Sequence, residues 1–111
     1  MKKPVAEALK KKIEDAERSF SRADREFNLA AESFHYAKTV YASETAALVV
    51  FRKQPTRRLA LAYFYWIPAR GGYWNYFFVG YPHVQAMQHV ADALKKVEAY
   101  NFEVRRNEEI E

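Results

Sequence analysis

The chain has no cysteine, only three glycines and four prolines, and not one acidic side chain between residues 45 and 91. Each scarcity removes a class of function. Without cysteine there is no disulfide framework, no thiolate nucleophile and no sulfur ligand for zinc, a composition that suits a reducing cytoplasm. No stretch approaches the roughly 20 apolar residues needed to span a bilayer. The longest nearly uncharged run, Leu59 to Ile67, reads instead as a strand. Lys2 and Lys3 are followed by Glu7 and Lys10 to Lys12 rather than by the apolar core of a leader. A soluble protein with no membrane partner is expected.

Catalytic chemistry is scarce too. On one helix, His83 and His89 would point to different faces, and His35 stands apart from both, so no metal site is expected. Acid–base catalysis needs positioned carboxylates or an oriented base, and the aromatic middle of the chain has no carboxylate. The acids elsewhere alternate with lysine and arginine, as on a solvated helix face. Gly71-Gly72 lacks the flanking glycines or lysine of a phosphate loop. No enzyme activity and no cofactor are expected.

What the chain does have is unevenly placed. Its 111 residues carry a net charge of +4 and fit one domain, 1–111. Residues 45–91 hold five basic side chains, Arg52, Lys53, Arg57, Arg58 and Arg70, together with eleven of the eighteen aromatics. Positive charge and aromatic surface thus coincide in one segment, which points to a macromolecular partner.

The N-terminal region shows a heptad. Ile13, Phe20, Phe27, Phe34 and Tyr41 recur every seventh residue, interleaved with Leu9, Ala16, Ala23, Ala30 and Ala37. Spacings of four and three predict a coiled-coil type of seam on one long helix, about 4–46, with Pro4 in its first turn. The seam packs either on the chain's own C-terminal helix or on a second copy, and its length favours a homodimer. A β-segment, about 47–80, follows, then a helix over about 82–106 opened by Pro82, and an acidic tail, 107–111. Ala46 to Phe51 reads as helix or strand. The best-supported β element is a hairpin of Arg57 to Ile67 with Tyr73 to Val79 around Gly71-Gly72. Adding Ala47–Lys53 as a weak strand makes a three-stranded antiparallel meander. The fold class is α+β. Both faces of the hairpin are apolar: Leu59, Leu61, Tyr63, Tyr65 and Ile67 alternate with Ala60, Ala62, Phe64 and Trp66. Either both faces are covered or one binds a partner.

The size, the absence of cysteine and the absence of catalytic residues resemble those of small phage accessory proteins that block host machinery by binding it. That resemblance implies a non-catalytic inhibitor or adaptor with a protein partner, such as a nucleic-acid-handling enzyme. The expected partner-binding residues are Arg52, Lys53, Arg57, Arg58, Arg70, Tyr73, Trp74 and Tyr76, gathered from the turn regions Arg52 to Arg58 and Pro68 to Trp74. The alternatives are direct nucleic-acid binding, with bases stacked on the rings and phosphates held by the arginines, and a structural assembly role.

Overall fold

The structure is a computed structural model that describes the backbone of residues 3–28 and 33–110 and the side chains of 6–27 and 33–99. Helix α1 spans Lys3–Asn28, followed by four strands, β1 Ser33–Ala42, β2 Ala46–Gln54, β3 Arg58–Ile67 and β4 Tyr73–Gly80, and by helix α2, Met87–Ile110. The strands form one antiparallel meander in the order β1-β2-β3-β4. The fold is therefore α+β as expected, with four strands instead of three. The hairpin of β3 and β4 lies where the sequence places it.

The long helix is the main correction. It stops at Asn28, and Phe34 and Tyr41 sit on a strand. A spacing of seven suits a helix, but Phe34 to Tyr41 also holds Thr39 and Val40, residues that favour the pleated conformation. On the sheet the two rings part company: Phe34 packs in the core under α1, whereas Tyr41 joins the cluster under α2. Of the expected seam, Ile13 is buried and Phe20 half-buried, but Phe27 is 85% exposed. Ala30 lies outside the described residues. The part of the seam that is covered within the chain, Leu9, Ile13, Ala16 and Phe20, packs on the sheet rather than on α2. The β-segment accordingly begins at Ser33 rather than 47, and a short 3-10 turn, Val84–Ala86, precedes α2. The helix backbone runs on to Ile110, through the expected acidic tail, while the side chains of that tail lie outside the described residues.

The two helices cover opposite faces of the sheet. Successive side chains along a strand point to opposite faces, so β2 sends Ala47, Val49 and Phe51 to one side and Leu48 and Val50 to the other. Strand β3 divides Ala60, Ala62 and Phe64 from Leu61 in the same way. The first set packs with Leu9, Ile13 and Ala16 of α1, and the second with Met87, Ala91 and Leu94 of α2. Ala47–Lys53, expected to be the weakest strand, is the most buried, since all of Ala46–Phe51 is removed from solvent. Burying each large side chain such as Phe51 or Phe64 contributes about 1.5–3 kcal/mol.

Phe20 organises the core under α1. Its ring meets Phe34, Phe51, Tyr76 and Phe78 edge-on, at centroid distances of 5.9, 5.5, 5.5 and 5.5 Å. Edge-to-face contacts add about 0.5–1.5 kcal/mol beyond area burial. One turn further on, Asp24 accepts a 2.9 Å hydrogen bond from Lys53 Nζ of β2, and both side chains are buried. Lys53 also sits 5.6 Å from the Phe34 ring centroid. At the β3–β4 turn, Gly72 has φ +92°, and a Cβ there would lie 2.0 Å from the Trp66 indole. Two outcomes are expected in urea unfolding. Asp24→Ala strands a lysine ammonium among rings and should cost about 3 kcal/mol or more, much of it recovered in Asp24→Ala/Lys53→Met. Gly72→Ala should cost roughly 2 kcal/mol or more, from backbone strain and overpacking combined.

Candidate protein-binding face

The expected partner-binding residues do not form one site. In a meander the β2–β3 and β3–β4 turns lie at opposite ends of β3, about 30 Å apart for a strand of this length. Arg52, Arg57 and Arg58 are exposed around the first turn, and Arg70 and Tyr73 around the second. Arg57 and Arg70 both have positive φ, 60° and 57°. Arg58 is turned back on its own chain, with its guanidinium 5.0 Å from the Tyr81 ring centroid. Two members of the set are core residues and cannot present themselves to a partner: Lys53 is buried beside Asp24, and Trp74 is 3% exposed, edge-on to Trp66 at 5.6 Å. Tyr76 is half-buried against Phe20 and Phe64.

A more continuous aromatic surface lies elsewhere, on the part of the α2 face that α2 does not cover fully: Tyr63 and Tyr65 are half-buried there, and Tyr73 and Phe77 are exposed. Tyr63 and Tyr65 stack at 5.6 Å, and Phe77 of β4 meets Tyr63 edge-on at 5.2 Å. Asn75 donates from Nδ2 to the Tyr65 hydroxyl at 3.0 Å, fixing that ring. Ile67 and Tyr73 pair across the strands beside the turn, and Tyr73, Phe77 and Val79 are exposed. The helix adds a wall. Lys95 lies 5.5 Å from the Tyr41 ring on β1. At about 100° per residue, Leu94, Val90 and Val97 then fall on the opposite flank, towards β3 and β4. Val90 and Val97 are exposed and Leu94 half-buried. No charged side chain stands among these sheet and helix residues. Cations appear only at the ends: Arg52 on the same face at one end of the sheet and Arg70 in the turn at the other.

Sequence reasoning names Tyr73 and sets Tyr63 and Tyr65 on a face that is either covered or binding, but it does not single out Phe77 or the α2 flank. The period-two alternation of β3 already divides a face with tyrosines from a face with alanines. The alanines mark the side on which a helix lies close, and so leave the tyrosine side less covered.

Helix α2 is held in place by a polar latch. Glu98 accepts hydrogen bonds from the hydroxyls of Tyr41, Ser43 and Thr45 at the β1–β2 turn. Burial pushes the Tyr41 hydroxyl above its ordinary pKa, and the hydrogen bond to Glu98 pushes it further in the same direction. Among the described residues, no group of three or more His, Cys, Asp or Glu is placed to hold a metal, and no helix is long and apolar enough to cross a membrane. No family model, curated protein or solved structure matches the chain.

The latch has an alkaline signature. A tyrosine whose folded pKa is raised stabilises the fold fully below its unfolded pKa, about 10, and that contribution is lost as pH rises through the folded value. Thermal stability should therefore fall in alkaline solution above about pH 10. Tyr41→Phe should lower stability near neutrality by about 1 kcal/mol and flatten the alkaline fall, measured by circular dichroism melts across pH.

Proposed function

We propose that this is a non-catalytic binding protein that docks on another protein through the bare half of its α2 face, in the manner of a small inhibitor or adaptor. One observation carries the reading: three mutually packed rings, the half-buried Tyr63 and Tyr65 and the exposed Phe77, lie on the sheet with no charge among them. Protein interfaces have this composition at their centre, depleted in charge and enriched in aromatics. An open apolar surface of this kind on a folded chain marks an interaction site.

Arg52 and Arg70 at the two ends supply a cationic rim, which favours a partner whose own rim is acidic. Surfaces that receive nucleic acid are basic. A nucleic-acid-handling enzyme would therefore be met away from its nucleic-acid channel.

Direct nucleic-acid binding is the weaker reading, because the packed rings Tyr63, Tyr65 and Phe77 have no arginine among them. Stacking platforms for single strands keep their cations along the groove, whereas here they stand at the ends.

The experiment is a crosslinking pull-down from the native cell with the wild-type chain, Val97→Glu and Arg22→Glu. Val97 lies on the flank of the face, and Arg22 is an exposed residue of α1 on the opposite side of the sheet. A partner recovered at a fixed stoichiometry should be retained by Arg22→Glu and lost with Val97→Glu, with nuclease treatment making no difference. Tyr65→Ala should weaken the same complex by about 1–2 kcal/mol or more. Retention by Val97→Glu would exclude this face. Nuclease-sensitive capture that falls steeply with salt would favour the nucleic-acid reading instead.

A further inference from the structure

One flank of helix α1 is charged differently from the rest of it. Arg18, Arg22 and Arg25 stand at spacings of four and three, so they share one side of the helix. The same stretch of α1 is bonded to the β1 edge of the sheet: the Phe34 amide donates to Ser21 Oγ at 2.8 Å, and the Tyr36 amide donates to Glu17 Oε2 at 3.0 Å. Ser33 and His35, two residues apart on the strand, complete a cleft of about 270 Å³ between the two elements. The docking rings Tyr63, Tyr65 and Phe77 belong to β3 and β4, at the other side of the sheet.

We infer that this cleft binds the phosphate group of a small phosphate monoester. Charge is the first argument. On a solvated helix face, arginines alternate with carboxylates that pair with them. Arg18 pairs with Asp15 in this way, and Glu17 is turned to the strand, 3.9 Å from His35 Nδ1. Arg22 and Arg25 have no carboxylate partner among the described residues. Two unmatched guanidinium charges in one cleft balance the charge of a phosphate monoester at neutral pH, about −1.5 to −2.

Hydrogen-bonding capacity is the second argument. Ser21 is 7% exposed. Its oxygen accepts from the Phe34 amide, and its hydroxyl hydrogen has no acceptor among the described residues. A buried donor in that state is costly until a ligand takes it. Arg25 is braced through Nε on the Ser21 carbonyl at 3.4 Å, which leaves its terminal nitrogens to a ligand. Ser33 Oγ and His35 Nε2 lie 3.3 Å apart and hold each other in place. Together these donors exceed what the two oxygens of a carboxylate take, and they suit the three terminal oxygens of a phosphate. The cleft is bounded by helix on one side and strand on the other and holds one such group, whereas a nucleic-acid backbone needs a groove that continues.

The test is a nuclear magnetic resonance titration of the full, isotope-labelled chain with inorganic phosphate and with phenyl phosphate, at constant ionic strength and above the second phosphate ionisation, about pH 6. Both probes should saturate at one per chain, with the largest shifts at the Ser33 to His35 amides and at Arg25 Nε. Arg22→Gln/Arg25→Gln replaces exposed residues, so it should leave the far-ultraviolet circular dichroism unchanged and weaken both probes about tenfold or more. Lys10→Gln/Lys11→Gln removes the same charge from the far end of α1 and should weaken them far less. Equal losses in the two pairs would show attraction to net charge alone and overturn the inference, as would shifts that do not saturate. A short single-stranded oligonucleotide without a terminal phosphate should fail to displace phenyl phosphate. Displacement would overturn the inference and assign the arginines to a nucleic-acid backbone. The inference does not rest on the docking reading: Val97→Glu, which tests that face, should leave the phosphate titration unchanged.

Discussion

The sheet of this protein has no polar face. Strands β2 and β3 send apolar side chains both ways, so water must be excluded from two sides at once, and every other element is arranged to meet that requirement. Helix α1 covers one side with a stripe of Leu9, Ile13, Ala16 and Phe20, running close to the sheet where Ala16 meets Ala47, Ala60 and Ala62 of the same core. Helix α2 crosses the other side from the end of β4 to the β1–β2 turn, held by few apolar contacts and by Glu98. A helix is about 10 Å wide and a four-stranded sheet nearly twice that. One diagonal helix therefore leaves part of its face open, and the open part is where the tyrosines are.

How far the fold could be read from the sequence follows from which patterns were ambiguous. The hairpin of β3 and β4 was legible because dense β-branched and aromatic residues flank a turn with two glycines, and few other structures suit that arrangement. The end of α1 was not. Phe27 and Phe34 continue a seven-residue spacing across the boundary, and nothing like a proline or glycine marks the break at Asn28. The spacing is fortuitous there: Phe27 points to solvent, and Phe34 belongs to a strand bonded to α1 through Ser21. The count of strands failed for the same reason, because β1 was absorbed into the supposed helix.

The site was legible in composition but not in position. Aromatic surface was expected in the middle segment and is there, yet the residues singled out by chemistry alone included two that the core claims. Lysines are seldom buried, so composition alone groups Lys53 with the surface cations; its carboxylate partner lies 29 residues upstream, on a different element. Trp74 was counted as a hot-spot residue, but its even position on β4 turns it under α1, whereas odd-numbered Tyr73 and Phe77 face the other way. Parity along the strand, rather than residue type, separates surface from core.

The buried lysine also makes this chain report on its own breathing. An amine-selective acylating reagent reaches the exposed lysines of α1 and α2 directly, but it reaches Lys53 only when the contact between α1 and β2 opens. The lag between the modification of Lys53 and that of Lys10 or Lys95 is thus a clock for that local opening, and in the limit of fast reclosure it measures the opening free energy. Because Asp24 and Phe20 stand one helical turn apart on the same face of α1, that clock times the release of the helix from the sheet, a motion distinct from any loosening of α2 on the opposite side.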